Sequence, residues 1–231
     1  MRNKRSLELR RIGLFGGTFN PIHIGHLRIA GEIKEHFSLD GILFIPTGIP
    51  PHKEDSEVID PVHRLHMVEL AIAPYKDFTV SSIEVERKGV SYSIDTIKTL
   101  QKEMGHTVEL YFIVGSDAFL EIRTWKDVDE LLTLCNFIVI PRPGHRFIDL
   151  KGIDIPSLNR ISAVDLDKLD RGEISRLPAT LTERYCLFLE RITPCDISST
   201  ELRRLIKEKK EVKNLLPESV LLYIMKQGLY R

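Results

Sequence analysis

The sequence predicts an α/β fold built on a doubly wound parallel sheet. Three observations predict it. Short, continuously apolar runs alternate with stretches of helical period, as expected for strands covered on both faces. The first run, Ile12-Gly13-Leu14-Phe15, leads into a glycine turn and then a helical pattern. Hydrophobic residues make up 42% of the 231, enough for a core of that size.

The elements follow in order. Strands are predicted at 11–15, 41–46, 78–86, 108–114, 136–140 and 185–191. Helices are predicted at 24–37, 61–73, 94–104, 126–134, 199–210 and 218–227. Leu27, Ala30, Ile33 and Phe37 space an apolar stripe along the first helix. Asp60-Pro61 suits an N-cap followed by the first helical residue. Gly105 suits a C-cap after Met104. Pro217 opens the last helix and Gly228 closes it. Residues 145–184 are polar and weakly patterned, and read as a surface insertion. The whole reads as a Rossmann-like domain over 1–194 with a small C-terminal helical part over 195–231. In such sheets ligands bind beyond the carboxyl ends of the strands. The glycine turn, Thr47–Lys53, Gly115–Asp117 and Arg142–Gly144 all follow predicted strands, so they should converge on one crevice.

Composition narrows the partners. Lys and Arg total 33 and Asp and Glu total 33, so there is no global basic footprint of a nucleic-acid binder. The basic stretch Arg2–Arg11 lacks the apolar centre of a secretory signal. No apolar run approaches the ~20 residues of a membrane span. Cys135, Cys186 and Cys195 lack CxxC spacing and read as reduced thiols of a cytoplasmic protein. Oligomeric state is left open, a homo-oligomer being compatible with the sequence.

The densest chemistry lies in Gly16-Gly17-Thr18-Phe19-Asn20-Pro21-Ile22-His23-Ile24-Gly25-His26. Glycines let backbone N–H groups approach an anion, and the helix start adds partial positive charge. Histidines three apart share a helix face, so His23 and His26 can address one phosphate. His63 and His66 have the same spacing, but there an ordinary helix turn is the better reading. No third-ligand spacing supports zinc.

A second helix start, Ile197-Ser198-Ser199-Thr200-Glu201-Leu202-Arg203, offers hydroxyls and a cation. Such hydroxyls often only cap the helix. Beside the histidine motif they read as a second anion cradle formed by Ser199, Thr200 and Arg203. Gly115-Ser116-Asp117 could be a plain strand-to-helix cap. Trp125, the only tryptophan, could be core. Its neighbours Thr124, Lys126 and Asp127 favour a partly exposed ring able to stack on a pyridine. Lys53, after two prolines, could be a solvated charge.

HxGH together with SSTELR resembles the nucleotidyltransferase superfamily. HIGH also occurs in class I aminoacyl-tRNA synthetases, but their KMSKS-type loop is missing here. The resemblance is closest to the bacterial nicotinate-nucleotide adenylyltransferase family and covers nearly the whole chain. It is carried also by Ile49–Lys53, His63-Arg64 through Ala71, Ser91-Tyr92-Ser93, Gly115–Asp117, Thr124-Trp125, Arg142-Pro143-Gly144 and Gly228-Leu229-Tyr230-Arg231. Asn20 stands where many relatives have Asp.

The resemblance implies adenylyl transfer from ATP to nicotinate mononucleotide, with Mg²⁺ arriving on ATP. It implies catalytic roles for His23, His26 and Arg203. It places ATP against Gly16, Gly17, Thr18, Phe19, Gly115, Asp117, Ile197, Ser199 and Thr200. It places the mononucleotide near Lys53, Tyr92, Ser93, Trp125 and the backbone of Lys126, and it counts the crevice residue Arg142 among the nucleotide-binding residues. A phosphopantetheine adenylyltransferase-like enzyme and a non-catalytic nucleotide sensor stay as alternatives. Turnover of ATP with nicotinate mononucleotide separates the three.

Overall fold

The computed structural model describes residues 9–49 and 58–231. Lys53 falls outside them. Seven strands form one sheet: β1 (Arg10–Gly17), β2 (Gly41–Pro46), β3 (Phe78–Val80), β4 (Val108–Gly115), β5 (Asn136–Ile140), β6 (Arg176–Thr180) and β7 (Cys186–Glu190). Their order is β3-β2-β1-β4-β5-β7-β6. All neighbours are parallel except β6 and β7. The helices are α1 (Ile24–His36), α2 (Pro61–Ile72), α3 (Ser93–Met104), α4 (Ser116–Leu120), α5 (Val128–Leu131), α6 (Pro156–Asn159), α7 (Ala163–Arg171), α8 (Ser199–Lys207) and α9 (Glu218–Gln227).

Alternation along the strands sorts the core into two layers. Ile12, Leu14, Leu43, Ile45, Leu110, Phe112 and Val114 face α3 and the later short helices. Phe15, Ile42, Phe44, Tyr111 and Ile113 face α1, α2, α8 and α9. Both faces are covered, which is why the strand runs are continuously apolar. The stretch 195–231 contributes Leu202, Val212, Leu216, Val220 and Ile224 to that second layer. Asp60 caps α2 through a bond from the Val62 N–H at 2.8 Å, with Pro61 following.

Three expectations need correction. The strand expected at 78–86 ends at Val80. Beyond it the chain turns, closed by Glu86 N–H to Ser82 C=O and by the Ser82 hydroxyl on the Glu86 carboxylate. The helix expected at 126–134 is one turn, Val128–Leu131, preceded by Asp127 in the left-handed region at φ 49°. Residues 145–184 are no surface insertion. Phe147, Leu150, Ile155, Leu158, Leu166, Leu169 and Ala179 are buried in the α3-side core, and β6 extends the sheet. Charged residues are interspersed among these apolar anchors, so their periodicity is faint. Among the described residues no helix is long and apolar enough to cross a membrane.

Candidate active site

Strand order reverses between β1 and β4, so a crevice opens at their carboxyl ends. Gly17 ends β1, Gly115 ends β4, and α1 starts beside them. Thr18 follows β1, and Phe19 then sits in the left-handed region at φ 48°, turning the chain toward α1. A Cβ on Gly17 would meet the Phe19 ring at 3.1 Å, so any larger residue there would have to push the ring back by a few tenths of an ångström.

His23 occupies the N-cap of α1 in extended conformation, and His26 lies one turn on. Their rings stack at 3.7 Å between centroids. Phe15 and Phe19 pack edge-on against the His26 ring. A Cβ on Gly25 would lie 3.0 Å from both His23 Nδ1 and Cys195 Sγ, so this glycine makes room for the stacked pair.

The His26 Nδ1 accepts the His23 backbone N–H at 3.2 Å. In the neutral ring the proton therefore sits on Nε2, which is left as a donor. Burial, with help from Arg142, lowers His23 to about 3. Burial, then His23 and Arg142, holds His26 well below the usual histidine range. Both rings are thus neutral donors before an anion arrives. An incoming phosphate favours the charged form and pulls the other way.

Around this pair the structure gathers further groups. The Arg142 N–H bonds the Ser116 hydroxyl at 3.1 Å, and its Nε lies 3.7 Å from the Asp117 carboxylate. That Nε is buried without a hydrogen bond. On α8 the cap is Ser198, whose hydroxyl accepts the Glu201 N–H. The Ser199 hydroxyl donates to Pro21 C=O at 2.9 Å, and Arg203 donates to Asn20 C=O at 3.1 Å. The second motif thus leans on the turn that carries the first. Thr200 is exposed, and Ile197 packs on the α1-side core. Arg204 turns outward to Glu201 and Glu208.

The α3 start forms a separate corner. Tyr92 is its N-cap and Ser93 its first residue. The Lys126 ammonium sits 4.9 Å from the Tyr92 ring centre and 3.0 Å from the Asp95 carboxylate. Trp125 is half-buried, edge-on to Phe112 of β4. His63 and His66, by contrast, face α9: His63 Nδ1 meets the Tyr223 hydroxyl at 2.7 Å, and His66 meets Glu69 at 3.1 Å. Among the described residues no three His, Cys, Asp or Glu side chains cluster as a metal cage.

Three residues assigned no role in the sequence analysis belong to this region. Arg64 is fully buried and donates to Thr18, Gly48 and Ile59 carbonyls. Glu84 is buried between Gly48 and Thr96. The Tyr230 hydroxyl donates to Asn20 Oδ1 at 2.8 Å. A sequence cue existed for the first: Arg64 shares a stripe with Met67, Val68 and Ala71, a cation on the buried face of α2.

The cytidylyltransferase-like family profile matches residues 14–205. A protein of Moorella thermoacetica named "Probable nicotinate-nucleotide adenylyltransferase" is 42% identical over 221 residues, covering 96% of this chain and 92% of that protein. Its namesake in Clostridium perfringens is 34% identical over 226 residues, covering 96% and 99%. Among solved structures, nicotinic acid mononucleotide adenylyltransferase of Plasmodium falciparum, complexed with NaAD, superposes with a TM-score of 0.66. It is 21% identical and the match covers 96% of this chain and 97% of that one, a likeness of fold.

Proposed function

The chain belongs to the nicotinate-nucleotide adenylyltransferase family, and on that premise we propose how its residues divide the work. The reaction joins ATP and nicotinate mononucleotide into nicotinate adenine dinucleotide and pyrophosphate. A phosphate oxygen of the mononucleotide bonds to the α-phosphorus of Mg·ATP. The α–β bridging P–O bond breaks in line, and pyrophosphate leaves with the electron pair. A phosphate is already a competent nucleophile, so no covalent enzyme intermediate or strong base is required. The work left to the protein is positioning and charge stabilisation.

The observation that carries the assignment of roles is His26, with Nδ1 committed to its own helix start and Nε2–H left to donate. His26 and His23 bond α-phosphate oxygens as charge builds. Arg203 and the start of α8 face the departing pyrophosphate, and adenine lies over Gly16, Gly17 and α1. Lys53 is assigned to the mononucleotide phosphate. Trp125 stacks on the pyridine ring, while Ser93 and backbone N–H groups near Lys126 receive its carboxylate. These groups donate, so the acid is favoured over the amide, whose NH₂ would face a donor. Reduced thiols suit a cytoplasmic setting.

Pyrophosphate release is measured with ATP, Mg²⁺ and a panel of nicotinate mononucleotide, nicotinamide mononucleotide and phosphopantetheine. Turnover should need all three components and favour the nicotinate form. Preference for phosphopantetheine, or no turnover at all, would overturn the reading.

A further inference from the structure

The groups assigned to ATP and to the pyridine ring sit at separate helix starts, yet buried polar contacts join them. Arg64 is fully buried on α2. Its Nη1 donates to Thr18 C=O at 2.7 Å, its Nη2 to Gly48 C=O at 3.0 Å and its Nε to Ile59 C=O at 3.1 Å. Gly48 packs against Glu84 on its other side, where its backbone favours the charged carboxylate. Glu84 in turn accepts the Thr96 hydroxyl at 2.8 Å, and Thr96 accepts from Arg87 at 2.9 Å. Thr96 is the fourth residue of α3, the helix whose first turn carries Ser93.

Chance packing explains this poorly. A buried guanidinium and a buried carboxylate each carry a large desolvation cost, and burial does push Arg64 down and Glu84 up. Aliphatic side chains would fill the same volume at lower cost. Gly48 also has no slack: a Cβ there would overlap the Glu84 backbone oxygen and lie 3.0 Å from the Ser91 hydroxyl oxygen. Ser91 N–H bonds Ile49 C=O, so the segment after β2 is seated directly against the approach to α3.

We propose that Arg64, Glu84 and Thr96 are positioning residues, forming a buried relay that ties the glycine turn at Thr18 to the start of α3 and so links the ATP site to the pyridine-ring site. The relay rests on the substrate placement proposed above, and it touches neither substrate itself. Its consequence is a cross-effect: cutting it at the α3 end weakens ATP, at the far end.

ATP affinity is measured calorimetrically on the full chain, for wild type, Thr96→Val, Thr96→Ser and Glu84→Gln. Thr96→Val should weaken ATP binding by about tenfold or more, the scale of one hydrogen bond to a charged group. Thr96→Ser, which restores the hydroxyl, should return the affinity to within about twofold. Glu84→Gln reads the same quantity one link nearer and should lose at least as much as Thr96→Val. An ATP affinity that is unchanged in either folded variant, or a loss that serine does not rescue, overturns the relay. Pyrophosphate release by wild type is followed in parallel. Its absence would sink the assigned reaction, whereas the ATP titrations test the relay regardless.

Discussion

Two helices of this protein carry histidines three residues apart, and the two pairs live differently. At the start of α1, His23 and His26 stack on each other behind aromatic rings, beyond the carboxyl end of β1. On α2, His63 and His66 lie against Tyr223 of α9 and are satisfied by Tyr223 and Glu69. The spacing is identical, so spacing alone carries no function. The first pair has a ring nitrogen committed to its own helix start, Nε2–H left over, and Arg142 close by. The second has partners that use it as ordinary surface packing. What separates the two pairs is the strand end to which the first is attached.

The sharpest way to break this contrast is by truncation. His26→Ala should lower kcat by about 10²-fold or more, the scale of removing one well-placed donor. His66→Ala should stay within about twofold, as for an exposed substitution away from the site. Comparable losses would erase the distinction. Next in size is α8. Arg203→Ala should cost kcat/KM about tenfold or more, since a charged donor is lost. Arg204, about 100° around the helix, should be near neutral on replacement. Steady-state kinetics of both variants checks the register.

Acid stability sharpens the comparison in another way. Because His23 is held at about 3 when folded, the unfolded chain takes up a proton that the folded chain refuses. That share of stability is complete above about pH 6.5, the unfolded value, and is lost as pH falls toward 3. Each such histidine can contribute up to about 1.4 kcal/mol per pH unit across that window. Urea unfolding between pH 7 and 4 should therefore show a shallower acid limb for His23→Asn than for wild type. Parallel limbs would contradict the burial assigned to the pair. The smallest effect concerns the glycines of α1. A methyl group added at Gly31 would meet nothing within 4 Å, so Gly31→Ala should add about 0.5–1 kcal/mol and leave kcat unchanged. Gly25→Ala should instead displace His23 and lower activity, as a paired assay and melt would show.

The local signals were legible where one stretch of sequence contains both the element and its reason. The run Ile12–Phe15, the glycine turn and the HxGH helix start are contiguous, so strand, turn and helix start could be read together. Asp60-Pro61 and Gly228 marked helix ends for the same reason. What escaped were features made by distant residues. The Arg64 clamp depends on three carbonyls from two loops, and carbonyls leave no trace in a sequence. The core role of 145–184 was hidden because its apolar residues are anchors separated by charges, without a sustained period.

The bond between Tyr230 and Asn20 spans 210 positions of the chain, and the Arg203 contact with the same residue spans 183. A ribosome emits Asn20 early and Tyr230 late. The turn at Asn20 therefore acquires these two braces only when synthesis has passed both helices of the C-terminal stretch. Fragments from interrupted translation would hold the glycine turn and both histidines yet lack those braces.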